Sequence, residues 1–129
     1  MNKNISEEDL KFFVNSYIET ALWASTDDAG VPLDAPDYAD YTLSKKASRR
    51  IRTECLRFIQ KCIDLNIVDP FTDDYPIEHD FWLTRNGHGA GFWDGDYPKE
   101  MGERLTDLAK SFGECHLLAN DGSKTIDFF

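Results

Sequence analysis

The stretch His79-Asp80-Phe81-Trp82-Leu83-Thr84-Arg85-Asn86-Gly87-His88-Gly89-Ala90-Gly91-Phe92-Trp93-Asp94 decides how the rest of the chain is read. Residues 80–85 and 90–94 are rich in aromatic side chains, which favour strands, and Asn86-Gly87 supplies the positive φ angles that a tight turn needs. The pattern predicts a β-hairpin with a turn of more than two residues at its tip. Arg85, Asn86 and His88 then stand at that tip, with Trp93 and Asp94 on the returning strand, as candidate binding residues on a rigid support. A purely structural use is equally physical: Gly87, Gly89 and Gly91 for turn geometry, and Trp82, Phe92 and Trp93 as sheet core.

Upstream, Ser6-Glu7-Glu8-Asp9 has the chemistry of a helix start, with Ser6 capping and the acids complementing the positive helix end. Leu10, Phe13, Val14, Tyr17, Ala21 and Leu22 recur at three- and four-residue spacing and predict a first helix over residues 7–23. Gly30, Pro32 and Pro36 break both periodicities, so residues 28–40 read as a long loop, a kind of segment that is often functional. Ile51, Cys55, Phe58, Cys62 and Leu65 form the apolar stripe of a second helix over 42–66. Lys45, Lys46, Arg49, Arg50, Arg52 and Arg57 mostly fall outside it, as a solvated face does.

Beyond the central stretch, Asp96 and Pro98 open a third helix that turns Met101, Leu105, Leu108 and Phe112 inward and stops near Gly113. Residues 114–120 and 123–129 read as two strands around Asp121-Gly122. The fold expected is α+β in one domain, residues 1–129: a small antiparallel sheet, made of the central and C-terminal hairpins, packed against about three helices.

With 24 acidic and 14 basic residues, the formal charge of −10 opposes direct binding to nucleic acid or an anionic membrane and favours a basic partner. The charge is segregated: residues 1–42 hold nine acids and two bases, 43–66 hold two acids and seven bases, and 67–100 hold eight acids and two bases. Asp27, Asp28, Asp73 and Asp74 mark the acidic interaction surface this predicts. Residues 1–8 contain no apolar stretch of the signal-peptide type, so a cytoplasmic protein is expected. Cys55, Cys62 and Cys115 form neither a Cys-x-x-Cys pair nor an even set, and read as buried reduced thiols.

A metal would draw on His79, Asp80, His88, Asp94 and Asp96, whose nitrogen and oxygen donors suit a divalent ion if the hairpin gathers them. Their spacing matches no zinc pattern such as His-Glu-x-x-His. Gly-x-Ser-x-Gly, Ser-x-x-Lys, a phosphate-binding loop and Gly-x-Gly-x-x-Gly are also missing from the sequence. No cofactor or catalytic residue is assigned.

Residues 79–94 resemble a family of small acidic bacteriophage and prophage proteins, and weaker similarity covers Tyr17-Ile18-Glu19-Thr20-Ala21-Leu22-Trp23, Pro32-Leu33-Asp34 and Arg104-Leu105-Thr106-Asp107. The resemblance implies an accessory product made in a bacterial host, where such proteins bind and redirect a host protein. The leading expectation is an interaction protein, in one version a nucleic-acid mimic occupying a basic groove. The alternatives are a small hydrolase or ligand-binding protein with His88 as base, Arg85 as anion clamp and Asp94 orienting, and a virion or assembly component.

Overall fold

In a computed structural model that describes residues 5–72, 74–88 and 90–128, the chain runs α1 (Glu7–Ala24), a 3-10 turn (Pro36–Tyr38), β1 (Thr42–Leu43), α2 (Lys45–Asp64), α3 (Ile77–Arg85), α4 (Lys99–Ser111), β2 (Leu117–Asn120) and β3 (Thr125–Phe128). Ser6 starts α1 as expected, its hydroxyl accepting from the Asp9 amide at 3.0 Å, and Leu10, Phe13, Tyr17, Thr20 and Ala21 form its buried face. The second helix begins three residues later than its periodicity predicts, because Thr42 and Leu43 pair with β3 and Ser44 takes the cap position. Ile51, Cys55, Phe58 and Cys62 enter the core, whereas Leu65 sits at the helix end, 48% exposed. The basic side chains lie outside this stripe, Arg52 pairing with Glu7 and Arg50 lying over the Phe128 ring.

The central hairpin is not there. Residues 77–85 are helical, and Asn86-Gly87 ends the helix: Gly87 has φ 69°, its amide donates to the Thr84 carbonyl, and the His88 amide donates to that of Leu83. These are the two bonds of a glycine-terminated helix end, which asks for the same left-handed residue as a hairpin turn does. Periodicity gave no warning, because α3 is enclosed on every side. Ile77 and all residues from Asp80 to Arg85 are buried, so there is no polar face to reveal a 3.6-residue period. Phe81 stacks on Phe58 of α2 at 3.9 Å between centroids, and Trp82 meets Tyr17 of α1 edge-on at 5.5 Å.

After α3 the chain folds back in a turn closed by the Gly91 amide on the Asp94 carboxylate, 2.9 Å, while the Phe92 amide donates to the Thr84 hydroxyl. Pro98 rather than Asp96 sits at the start of α4. Gly102 lets that helix approach the turn closely, since a Cβ there would meet the Phe92 carbonyl oxygen at 2.7 Å. Leu105 and Ala109 are fully buried; Met101, Leu108 and Phe112 are partly so, and Gly113, with φ 77°, follows the helix end.

The C-terminal hairpin forms as expected, β2 and β3 pairing antiparallel with Leu117 opposite Phe128, but β1 adds to β3 in parallel. The sheet is therefore mixed, in order β1-β3-β2, and among the described residues it is accompanied by four α-helices. The α+β class stands. The all-antiparallel sheet is corrected by the parallel pairing of β1 with β3, and the central hairpin by the capture of residues 77–85 as a core helix.

Arg85 ties these pieces together. Its side chain is fully buried and donates to the Glu54 carboxylate of α2 at 2.8 Å, to the Tyr17 hydroxyl of α1 at 3.2 Å, and to the Phe112 and Gly113 carbonyls at the end of α4 at 3.0 and 2.8 Å. One guanidinium on α3 thus satisfies acceptors on three other elements. The three thiols are also buried and unpaired, and burial pushes the Cys62 thiol up to about 12.

Replacing Arg85 by Met should lower the unfolding free energy by about 3–5 kcal/mol, because Glu54 loses its close buried partner. Adding Glu54→Gln to that variant should recover part of the loss. Urea denaturation measures both, and a loss below about 1 kcal/mol for Arg85→Met would contradict this role.

Candidate functional site

Most of the residues that the sequence singles out hold the fold. Arg85 has no exposed surface from which to clamp an anion. The Asn86 amide is buried, donating to the Trp82 carbonyl at 3.1 Å and accepting from the Cys115 amide at 2.7 Å. Asp94 closes its own turn. Asp80 is buried and accepts from the Tyr97 hydroxyl at 2.6 Å, while His79 Nδ1 lies 2.9 Å from the Thr20 hydroxyl. Among the described residues no three His, Cys, Asp or Glu side chains are gathered as a metal site.

The proposed catalytic set is divided in space. A cleft of about 580 Å³ lies beside Trp93 and is lined by Phe92, Tyr97, Lys99, Glu103 and Asp107, with neither Arg85 nor His88 among its walls. His88 lines a separate cavity of about 690 Å³ with Asn86, Asp27, Asp28 and His116.

The acidic surface is divided too. Asp27 accepts from the Ala29 and Val31 amides and from the Tyr38 hydroxyl, and these bonds, Tyr38's foremost, hold its carboxyl below the usual range. It organises its own loop, with Asp28 exposed beside it. Asp74 lies at the other end of α1, in a cleft with Asp9, and an 18-residue helix is about 27 Å long. Asp73 lies outside the described residues.

A different surface emerges along α1. Asp9, Phe12, Ser16, Glu19 and Trp23 follow a 3-4-3-4 spacing and share one face; Phe12 is 66% and Trp23 58% exposed. At the Phe12 end a cleft of about 430 Å³ is walled by Asp9, Phe71, Asp74, Tyr75 and Glu78. At the Trp23 end a cleft of about 460 Å³ is walled by Glu19, Thr20, Leu22, Asp34 and His79. Glu78 lines the first cleft and His79, the next residue of α3, the second, so the two clefts flank the strip of α1, about 16 Å long, between the aromatic anchors. Asp9, Glu19, Asp34, Asp74 and Glu78 line the two clefts, and among the described residues no Lys or Arg lines either. Burial raises the Glu78 carboxyl above its ordinary pKa.

Such a surface holds cations by charge and flat or apolar groups by its aromatics. The sequence reading passes over Phe12 and takes Trp23 as a helix end and as part of the 17–23 similarity, not as a surface anchor. The available signal was that both are large aromatics lying off the buried 10-13-17-21 stripe. Comparison with protein-family models, with curated proteins and with solved structures gives no match. No helix among the described residues is long and apolar enough to cross a membrane.

Asp80 supplies a test of how the motif is used. Burial raises its pKa above the ordinary carboxylate value, so the ionised form costs stability, and the fold gains from this group as the pH falls from above the raised pKa to below the ordinary one. Asp80→Asn can still accept from Tyr97 and should lie within about 1 kcal/mol of the native protein at pH 7, comparing less favourably with it as the pH falls to 4. Asp80→Ala strands the Tyr97 hydroxyl and should cost about 1–3 kcal/mol. Equal destabilisation of the two variants at pH 7, read by urea unfolding, would contradict the assignment.

Proposed function

We propose that this chain is a non-enzymatic interaction protein of phage type that binds a bacterial host protein through the acidic, aromatic strip of α1 and the start of α3. The observation that carries the reading is the pair of exposed anchors, Phe12 and Trp23, set among five carboxylates with no Lys or Arg among the described lining residues. Exposed aromatics flanked by one sign of charge suit a protein partner with a basic face, where charge steers the encounter and the buried rings carry affinity. The formal charge of −10 acts in the same direction.

The phage-family resemblance supports a host-directed role in the bacterial cytoplasm. All six residues lining the Trp23 cleft come from the stretches that carry it, 17–23, 32–34 and 79–94. Mimicry of nucleic acid is the form this binding takes if the partner's basic face is itself a nucleic-acid groove. Asp27, which fastens its own loop, is then a weaker contributor than the strip's carboxylates.

Tagged protein captured from a bacterial lysate should retain a stoichiometric partner at low salt and lose it as salt rises. Glu19→Gln/Asp74→Asn/Glu78→Gln should weaken that capture and flatten its salt dependence, and Phe12→Ala/Trp23→Ala should weaken it at least about tenfold. Glu103→Gln/Asp107→Asn, beside the Trp93 cleft, should leave it unchanged. Capture that ignores the strip variants would refute the reading.

A further inference from the structure

We propose that the cleft at Trp23 and His79 is an arginine subsite, taking the guanidinium of one arginine side chain of the partner; this rests on the interaction reading above and names the chemistry of one end of it. Trp23 offers an indole that is 58% exposed, and Leu22 supplies an apolar wall for an alkyl stem. Glu19 and Asp34 place two carboxylates in the same walls. The last turn of α1, which carries Trp23, contains no basic residue, so the negative end of that helix also faces this region without an internal cation.

His79 adds an acceptor. The Thr20 hydroxyl lies 3.2 Å from the Ser16 carbonyl and 2.9 Å from His79 Nδ1; in the tautomer where Nδ1–H donates to that hydroxyl, Nε2 is a lone-pair acceptor. The His79 ring lies 6.0 Å from that of Trp23 at 34°, bracing the indole before any ligand arrives. Less ordering is then needed on binding.

The molecule uses the same constellation internally with the cation in place. Arg50 lies 4.4 Å from the Phe128 ring centroid and pairs with Glu54, and Lys110 lies 6.0 Å from the Trp93 ring. Among the described residues no Lys or Arg lies over Trp23. Arginine fits better than lysine: its planar fork stacks on an indole face while its edge donates to two carboxylates and an imidazole nitrogen, whereas an ammonium is a compact, strongly hydrated point charge.

Titration of the full chain with N-acetyl-arginine amide, followed by amide and indole NMR signals, tests this. Saturable shifts are expected at Trp23, Thr20 and His79 with a dissociation constant of about 1–10 mM, and none at Trp93. N-acetyl-lysine amide should bind several-fold more weakly, and the uncharged citrulline analogue should give no saturable shift. Trp23→Ala should abolish the response and Glu19→Gln/Asp34→Asn should weaken it at least about fivefold; the second variant keeps the indole should the first unfold. No saturable shift at Trp23, or equal responses to the arginine and citrulline compounds or to arginine and lysine, overturns the subsite. If the arginine response is lacking while the strip variants still abolish partner capture, the subsite falls and the interaction reading survives. An arginine response with capture indifferent to the strip supports the subsite and removes that reading.

Discussion

A guanidinium with no access to water must find acceptors inside the protein, and the place where Arg85 finds them determines how the helices meet. Its partners are a carboxylate on α2, a phenol on α1 and two terminal carbonyls of α4. Without it those two carbonyls, just past the end of α4, would lose their tie to α3, and Glu54 would lose its close cationic partner. The ends of α3 and α4 are fixed to each other, and Asn86 repeats the device one residue later by holding the Cys115 amide. The turn after α3 is drawn in by Thr84 and Gly91, where a Cβ would approach the Thr84 hydroxyl to 2.4 Å.

These bonds explain the density of unusual residues between His79 and Asp94. Thr84, Arg85 and Asn86 each serve a different neighbour of a short helix that is surrounded on all sides. The polar side chains of this helix connect it to α1, α2, α4 and the turn that follows it. The surface begins again at the start of this helix, where Glu78 and His79 line clefts beside the exposed side of α1.

The sequence made α1, α2, α4 and the C-terminal hairpin legible because each has one wet and one dry face, or a turn with a specific chemistry. Leu10, Phe13, Tyr17 and Ala21 repeat as a helix must, and Asp121-Gly122 separates two short strands. Residues 77–85 were illegible by the same test: with Asp80, Thr84 and Arg85 buried alongside the apolar side chains no period survives, and the aromatic content then favours a strand. Asn86-Gly87 misleads because helix ends and hairpins both need a left-handed residue. The parallel pairing of β1, two residues long and some eighty residues from its partner, leaves no local trace. As for the candidate site, the acidity was readable, but the grouping was not: Asp27 and Asp74 are alike in composition and lie at opposite ends of α1, while Phe12 meets Glu78, and Trp23 meets His79, only through the packing of α1 on α3.

The central claim is that residues 77–85 are a core helix on which the rest of the molecule closes. Native-state hydrogen exchange resolved by residue tests it most directly. The amides of Phe81 to Asn86 should exchange only through global unfolding, with an opening free energy equal to that of the whole protein, while those of the Asp28–Gly30 loop exchange far faster. Protection alternating between neighbouring residues across 80–94, as a solvent-facing hairpin gives, or exchange of Phe81 to Asn86 well below the global free energy, would contradict the account.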